Sequence, residues 1–388
     1  MISLGHLETY KLKIRTLAPV FIGSGVKLVK REYLFQPNGH QVFFVQFEKL
    51  IAFLERKGLL NSYEKYMLGE HGNIGLFEWL SRQKVTQEEF KQFIAYGISA
   101  GDALESGSFR EIYTFIKNSQ GKPYLPGSSI KGALRTALAA KMIRDKRQEF
   151  TQQFQGIEEE ADRQKRGKYY LQKQADSLEK SLFRKLNLLR DRRWADAVND
   201  LMRGVQVSDS LPFDPENLVL CVKIDRGKDG RANIKKDSGL LFRECIKPDT
   251  EIEASLTLDK AALKQTGITL EYLLKALQEF DQTYRESFES VFQEVKGDAP
   301  IKVSEGVPLL LGGGIGFASK TLIYPLAKDR TNGVKLVSKI LHKQFDKHKH
   351  DKDVALGVSP HRLKITKCNQ KYYPMGRCEV IINKQEKW

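Results

Sequence analysis

The chain has 388 residues, enough for a sizeable core and two domains. Hydrophobic residues at 41% and aromatics at 10% exclude a disordered chain, and a net charge of +16 calls for a polyanionic partner, most often nucleic acid. The basic residues are spread along most of the sequence, which argues for an extended positive surface over a localisation signal.

Tyr10-Lys-Leu-Lys-Ile-Arg-Thr-Leu17 alternates polar and apolar residues, the mark of a half-buried strand. It runs into Ala18-Pro-Val-Phe-Ile-Gly-Ser-Gly25, where Gly23 and Gly25 permit unusual backbone geometry or close approach of a ligand. Strands are expected near 30–35 and 41–46, joined by a turn at Pro37–Gly39. From Phe47 to about Ile94 the pattern is helical, in short pieces separated by glycines, and 109–116 reads as a strand.

Tyr124-Leu-Pro-Gly-Ser-Ser-Ile-Lys-Gly-Ala-Leu-Arg135 follows. Pro126-Gly127 marks a turn, Ser128 or Ser129 offers a capping hydroxyl, and a helix is expected over about 129–143. Lys131 and Arg135 are four residues apart and share one helical face. Bare N–H groups, a positive dipole end and two cations make a phosphate site. The same pattern also suits a capped helix with a solvated basic face. Residues 144–200 are dense in charge and helix formers and read as a helical insertion. Its basic residues include Arg163, Lys165, Arg166, Lys168, Arg184, Lys185, Arg190, Arg192 and Arg193.

Strand signals return at 203–208, 218–224, 240–246 and 251–258, with a polar loop at 225–231 and a boundary near Lys247-Pro248. A long amphipathic helix is expected over 270–295 and another helix over 334–347. The segment Val307–Ala327 is almost uncharged and about long enough to span a bilayer. Lys320, two prolines and clustered glycines make it strand, loop and strand instead. Strands at 361–366 and 377–382 end the chain. The order fits an α+β fold with antiparallel sheets better than a doubly wound parallel one. With no signal-peptide pattern at the N-terminus, the protein is expected to be cytoplasmic with no membrane partner.

The Gly312-Gly-Gly-Ile-Gly316 loop fails both the dinucleotide fingerprint and the Walker pattern. Its amides can still form an anion nest, with Ser319, Lys320 and Thr321 as added donors. Catalysis has little support. Cys221, Cys245, Cys368 and Cys378 lack Cys-x-x-Cys spacing. His342, His348 and His350 are interleaved with lysines that oppose a cation, and His6, His40, His71 and His361 show no partner spacing. No metal or cofactor is therefore expected.

Three segments taken together carry a resemblance: 18–25, 126–135, and the late glycine loop ending Ser319-Lys-Thr321. They resemble the RAMP superfamily of CRISPR RNA-binding proteins, most of all the fifth-subunit family of type III-A (Csm) effector complexes at the crRNA 3′ end. Val205-Gln-Val-Ser-Asp-Ser210 is similar to that family's strand after the helical region, while 144–200 matches no motif. The resemblance implies a ferredoxin-like, RRM-related core over residues 1–247, carrying the insertion, and a second RRM-like unit over 248–388. It implies a non-catalytic subunit that binds crRNA, caps the backbone filament and supports crRNA maturation. The backbone RAMP subunit and the small subunit are the implied partners, with target RNA and host nucleases left open.

The implied RNA-binding residues are Gly23, Ser24, Gly25, Ser128, Ser129, Lys131, Arg135, Gly312, Gly313, Gly314, Gly316, Ser319 and Lys320. Phe21, Tyr33 and Tyr124 are candidates for stacking on bases, or for ordinary packing. The alternative is a metal-independent crRNA-processing endoribonuclease, for which His361 and Tyr324 are the only acid/base candidates near the glycine loop.

Overall fold

The structure is a computed structural model that describes residues 6–36, 39–106, 111–163, 169–186, 188, 196–233 and 240–384. Part of the expected turn at Pro37–Gly39, the start of the expected strand at 109–116, and Lys165, Arg166, Lys168, Arg190, Arg192 and Arg193 lie outside them.

The alternating stretch forms a strand, Leu7–Thr16, that buries Tyr10, Leu12, Ile14 and Thr16. Its other face carries Lys11 and Lys13, paired with Glu253 and Glu251 at 2.6 and 2.8 Å. This strand is the centre of a five-stranded sheet with the order Val307–Leu310, Arg377–Lys384, Leu7–Thr16, Glu251–Asp259, Val205–Val207. Every neighbouring pair in that sheet is antiparallel, and the register sets Ile14 opposite both Ile252 and Val380. Strands Leu7–Thr16, Val205–Val207 and Val307–Leu310 therefore point the same way and end at one edge. The helices Gly127–Asp145 and Leu270–Ser287 pack on each other and on this sheet.

A seven-stranded sheet follows the order Gly23–Val29, Glu111–Phe115, Leu241–Ile246, Leu218–Val222, Ile94–Ser99, Gln41–Val45, Tyr33–Phe35. It is antiparallel apart from two parallel neighbours, Leu241–Ile246 with Glu111–Phe115 and Ile94–Ser99 with Leu218–Val222. A four-stranded sheet joins Ala232–Asn233, Ile224–Arg226, Leu363–Cys368 and Lys371–Pro374. Strands from both sides of Lys247-Pro248 thus share two of the three sheets. The fold is α+β, as the element order requires.

A separate small core gathers Leu34, Leu50, Phe53, Tyr66, Trp79 and Phe93 between short helices over 47–90 and their strand neighbours. In the 144–200 region, the helices Thr151–Asp162 and Gln172–Phe183 pack together. No helix among the described residues is long and apolar enough to cross a membrane.

Two expectations are corrected, and one strand is added. The helix expected over 270–295 ends at Ser287. There Phe288 leaves helical geometry (φ −135°), buries its ring against Phe292, and lets Glu289 reach Arg377. The expected second strand before Ala327 is a short helix, Ile323–Leu326, whose residues are all buried. Ile94–Ser99 is a strand, although it continues a helical run in the sequence.

Candidate nucleic-acid interface

The central helix starts at Gly127, with Pro126 in the cap position and no side-chain cap. Ser128 and Ser129 thus lie inside the first turn, a correction to their expected capping role. The Gly127 N–H donates to Asp209 Oδ1 at 2.7 Å, so an internal carboxylate already sits at the positive end of the helix. Glycine is required here because a Cβ at 127 would lie 2.4 Å from the Val207 carbonyl oxygen. The helix start can then press directly onto the strand Val205–Val207.

The late glycine loop is held by the first one. The Gly313 N–H donates to the Phe21 carbonyl at 2.7 Å, so this amide of the expected nest is spent within the chain. Gly312 has φ +96°, and a Cβ there would lie 2.4 Å from the same carbonyl oxygen.

A cavity of about 400 Å³ opens where these pieces meet. Gly23, Ser128, Ser129, Gly312, Gly313, Ser319 and Lys320 all line it, so the three sequence motifs converge on one cleft. Gly132, Ala133 and Thr136 extend the helix wall, and Leu277, Phe280 and Leu310 supply an apolar part. Asp281 also lines the cavity, but its charge is balanced by Arg285 at 2.8 Å and by Arg377. Lys320 is exposed and has no ion-pair partner among the described residues, so the cleft carries a free positive charge.

The remaining candidates are placed differently. Ser24 and Gly25 are exposed on the strand Gly23–Val29, and Ser24 Oγ is 2.6 Å from Thr114 Oγ1. Gly316 follows the cleft in the loop with φ +92°. Lys131 is half-buried on the central helix and forms no ion pair among the described residues. Burial lowers its pKa, and Arg135 adds to this against the opposing pull of Asp200.

Arg135 is engaged inside the protein. It reaches Glu179 at 2.6 Å and Asp200 at 3.1 Å, and its guanidinium lies 3.7 Å from the Phe183 ring centroid. It lines an adjacent cavity of about 450 Å³ that shares Thr136 and Lys320 with the first. Of the three aromatic candidates, Phe21 and Tyr33 are buried in the main core.

Two features escaped the sequence reading. Arg243 lies under the glycine loop with its guanidinium 5.1 Å from the Phe21 ring centroid, and its Nη1 has no hydrogen-bond partner among the described residues. A side chain at Gly314 would collide with that guanidinium, because its Cβ would be 2.1 Å from Nη1. The signal was a charged residue inside the apolar strand 241–246. The second is a histidine pair: His361, expected to have no partner, meets His350 through Asp353.

The arrangement suits an anionic backbone. Hydroxyls, loop amides and a lysine converge, and the residues lining the cleft include no histidine or tyrosine for acid/base chemistry.

Comparison with known proteins sets this geometry in a family. The RAMP superfamily model matches residues 13–320. A Csm5 protein of Mycobacterium tuberculosis (strain CDC 1551 / Oshkosh) is 31% identical over 98% of this chain and 99% of its own length. The chain belongs to the RAMP superfamily, in its Csm5 family. Csm5 of Streptococcus thermophilus is 28% identical, again over 98% of this chain and 99% of the relative. Among solved structures, a chain of a cryo-EM Csm–crRNA–target RNA ternary complex of a type III-A CRISPR-Cas system matches with TM-score 0.60 and 18% identity, covering 96% of this chain and 100% of that one. Csm5 of T. onnurineus matches with TM-score 0.59 and 16% identity, covering 95% and 99%. These two structures share the fold of this Csm5-family chain.

Proposed function

We propose that this chain is the crRNA-binding subunit of a type III-A Csm effector complex, capping the 3′ end of the guide and of the backbone filament. It supports crRNA maturation and RNA-guided interference without cutting RNA itself. The observation that carries the reading is the cleft: three segments far apart in sequence bring Gly23, Ser128, Ser129, Gly312, Gly313 and Lys320 to one place in a Csm5-family protein. The guide's phosphates accept from loop amides, hydroxyls and Lys320, with Lys131 adding charge from the same helix. Ser24, Gly25, Gly314 and Gly316 act through the shape of the two loops. The backbone RAMP subunit and the small subunit are its neighbours, and target RNA passes through the assembled complex.

The processing-nuclease alternative is less well supported. Tyr324 is buried with its hydroxyl donating to the Ser359 carbonyl, and the Nδ1 of His361 is held by Asp353. Neither group lines the cleft where the three segments meet.

The test is photocrosslinking of a 4-thiouridine-labelled crRNA in the reconstituted complex, followed by peptide mapping. Crosslinks from the 3′ portion to 127–136 and 312–320 support the reading. Crosslinks confined to other subunits, or to other surfaces of this chain, overturn it. Incubating the purified chain with repeat RNA in EDTA tests the catalytic clause, and clean site-specific products would refute it.

A further inference from the structure

The helix Arg330–Gln344 is followed by three short helical turns and the loop leading to strand Leu363–Cys368. At the centre of this segment Asp353 is completely buried. Its Oδ2 lies 2.9 Å from His350 Nδ1 and 2.6 Å from Ser359 Oγ, and its Oδ1 lies 2.5 Å from His361 Nδ1. No lysine or arginine pairs with this carboxylate among the described residues. A buried carboxylate needs a balancing cation, because the charge alone is costly away from water. Two imidazoles provide that cation only if one of them is protonated, or if the three groups share a metal ion.

We propose that His350, Asp353 and His361 form a binding site for a divalent transition-metal ion of the zinc class. The ligand atoms of the three residues all lie within 4.8 Å of one another. Bonds of about 2.0–2.2 Å to one ion would part the two His–Asp contacts by less than about 1 Å. Two imidazoles and a carboxylate favour zinc, cobalt or nickel over magnesium or calcium, which prefer all-oxygen shells.

The supporting shell is present. Ser338 Oγ donates to the His350 carbonyl at 2.7 Å, Ser359 Oγ to Asp353, and the buried Tyr324 hydroxyl to the Ser359 carbonyl. Access is available through His361, whose side chain keeps 17% of its surface exposed. Lys343 directs its ammonium to the carbonyls of Ala161 and Arg163, at the end of the helix Thr151–Asp162, and not to the Asp353 carboxylate. The ion would tie the turn at 350–353 to the loop before strand Leu363–Cys368.

The experiment uses the full chain, untagged and stripped with chelator, titrated with Zn²⁺ in a calorimeter and with Co²⁺ in a visible spectrometer. The expected result is one equivalent bound per chain, with the d–d absorption of a four-coordinate cobalt site and a rise in Tm on adding zinc. H361A should weaken binding at least about tenfold, in line with the loss of one ligand. H348A, beside the site but outside the ligand set, should leave it unchanged. H361Q, whose melting without metal reports folding, guards against misreading an unfolded variant. No stoichiometric binding to the folded wild type, or equal binding by folded wild type and H361A, would overturn the proposal.

Discussion

Replacing Lys131 and Lys320 by alanine removes two cations that form no ion pair among the described residues. Each phosphate contact to a single strand contributes about 0.7 to the slope of log K against log salt, so the double variant loses about 1.4. Between ~1 M and ~0.15 M salt that slope is worth about 14-fold in affinity, roughly 1.6 kcal/mol. The assay is filter binding of guide RNA across a salt series, with circular dichroism to check folding.

Arg135→Ala is the internal contrast. It breaks contacts to Glu179 and Asp200 and to the Phe183 ring. It should therefore cost roughly 1–3 kcal/mol of stability while leaving the salt slope unchanged. A folded K131A/K320A variant with the wild-type slope would refute the reasoning. So would R135A if it lowered the slope without touching stability.

Gly127→Ala should destabilise by about 1–3 kcal/mol in urea unfolding, because its Cβ would meet the Val207 and Ser208 carbonyl oxygens at 2.4 and 2.6 Å and backbone cannot swing aside. Lys117→Met should cost about 3–5 kcal/mol, since it strips the cation from Glu244, a fully buried carboxylate 2.6 Å away; adding E244Q should recover part of the loss. Glu379 is buried, which alone would raise its pKa, but the amides of Gly306, Glu305 and Ser304 together with Arg15 hold it down at about 2. Its contribution to stability is complete above 4.5 and is lost as pH falls towards 2, so E379Q should flatten urea midpoints across that window.

The parts of the fold that were legible in the sequence are those where local pattern and tertiary environment agree. Leu7–Thr16 alternates because one of its faces is buried and the other carries salt bridges. Ile94–Ser99 was not legible: it follows a helical run without a break, and its burial shows no clean alternation. What makes it a strand is pairing with Gln41–Val45 and Leu218–Val222, a long-range effect. The end of the helix at Ser287 likewise depends on where Arg377 and the aromatic core sit. For the cleft, glycine and serine mark the segments that converge, since close approach demands small residues. Ion pairing was harder to read. Arg135 looked free because its partners, Glu179 and Asp200, are 44 and 65 residues away.

That the three segments meet at all follows from strand direction. Leu7–Thr16 and Val307–Leu310 both run antiparallel to Arg377–Lys384, so the loops that follow them leave the sheet at the same edge. Val205–Val207 is antiparallel to Glu251–Asp259, which is antiparallel to Leu7–Thr16, so it ends there too. Asp209, just beyond it, then takes the first amide of the central helix. The cleft is thus the common carboxyl end of three co-directional strands, closed by a helix whose start is fixed to one of them. Removing the buried Arg377 guanidinium, as in Arg377→Met, should then loosen the cleft at its Asp281 wall and weaken guide binding in the filter assay, while the Arg377 carbonyl still accepts from Leu17 and Ala18 and keeps the first glycine loop at the sheet edge.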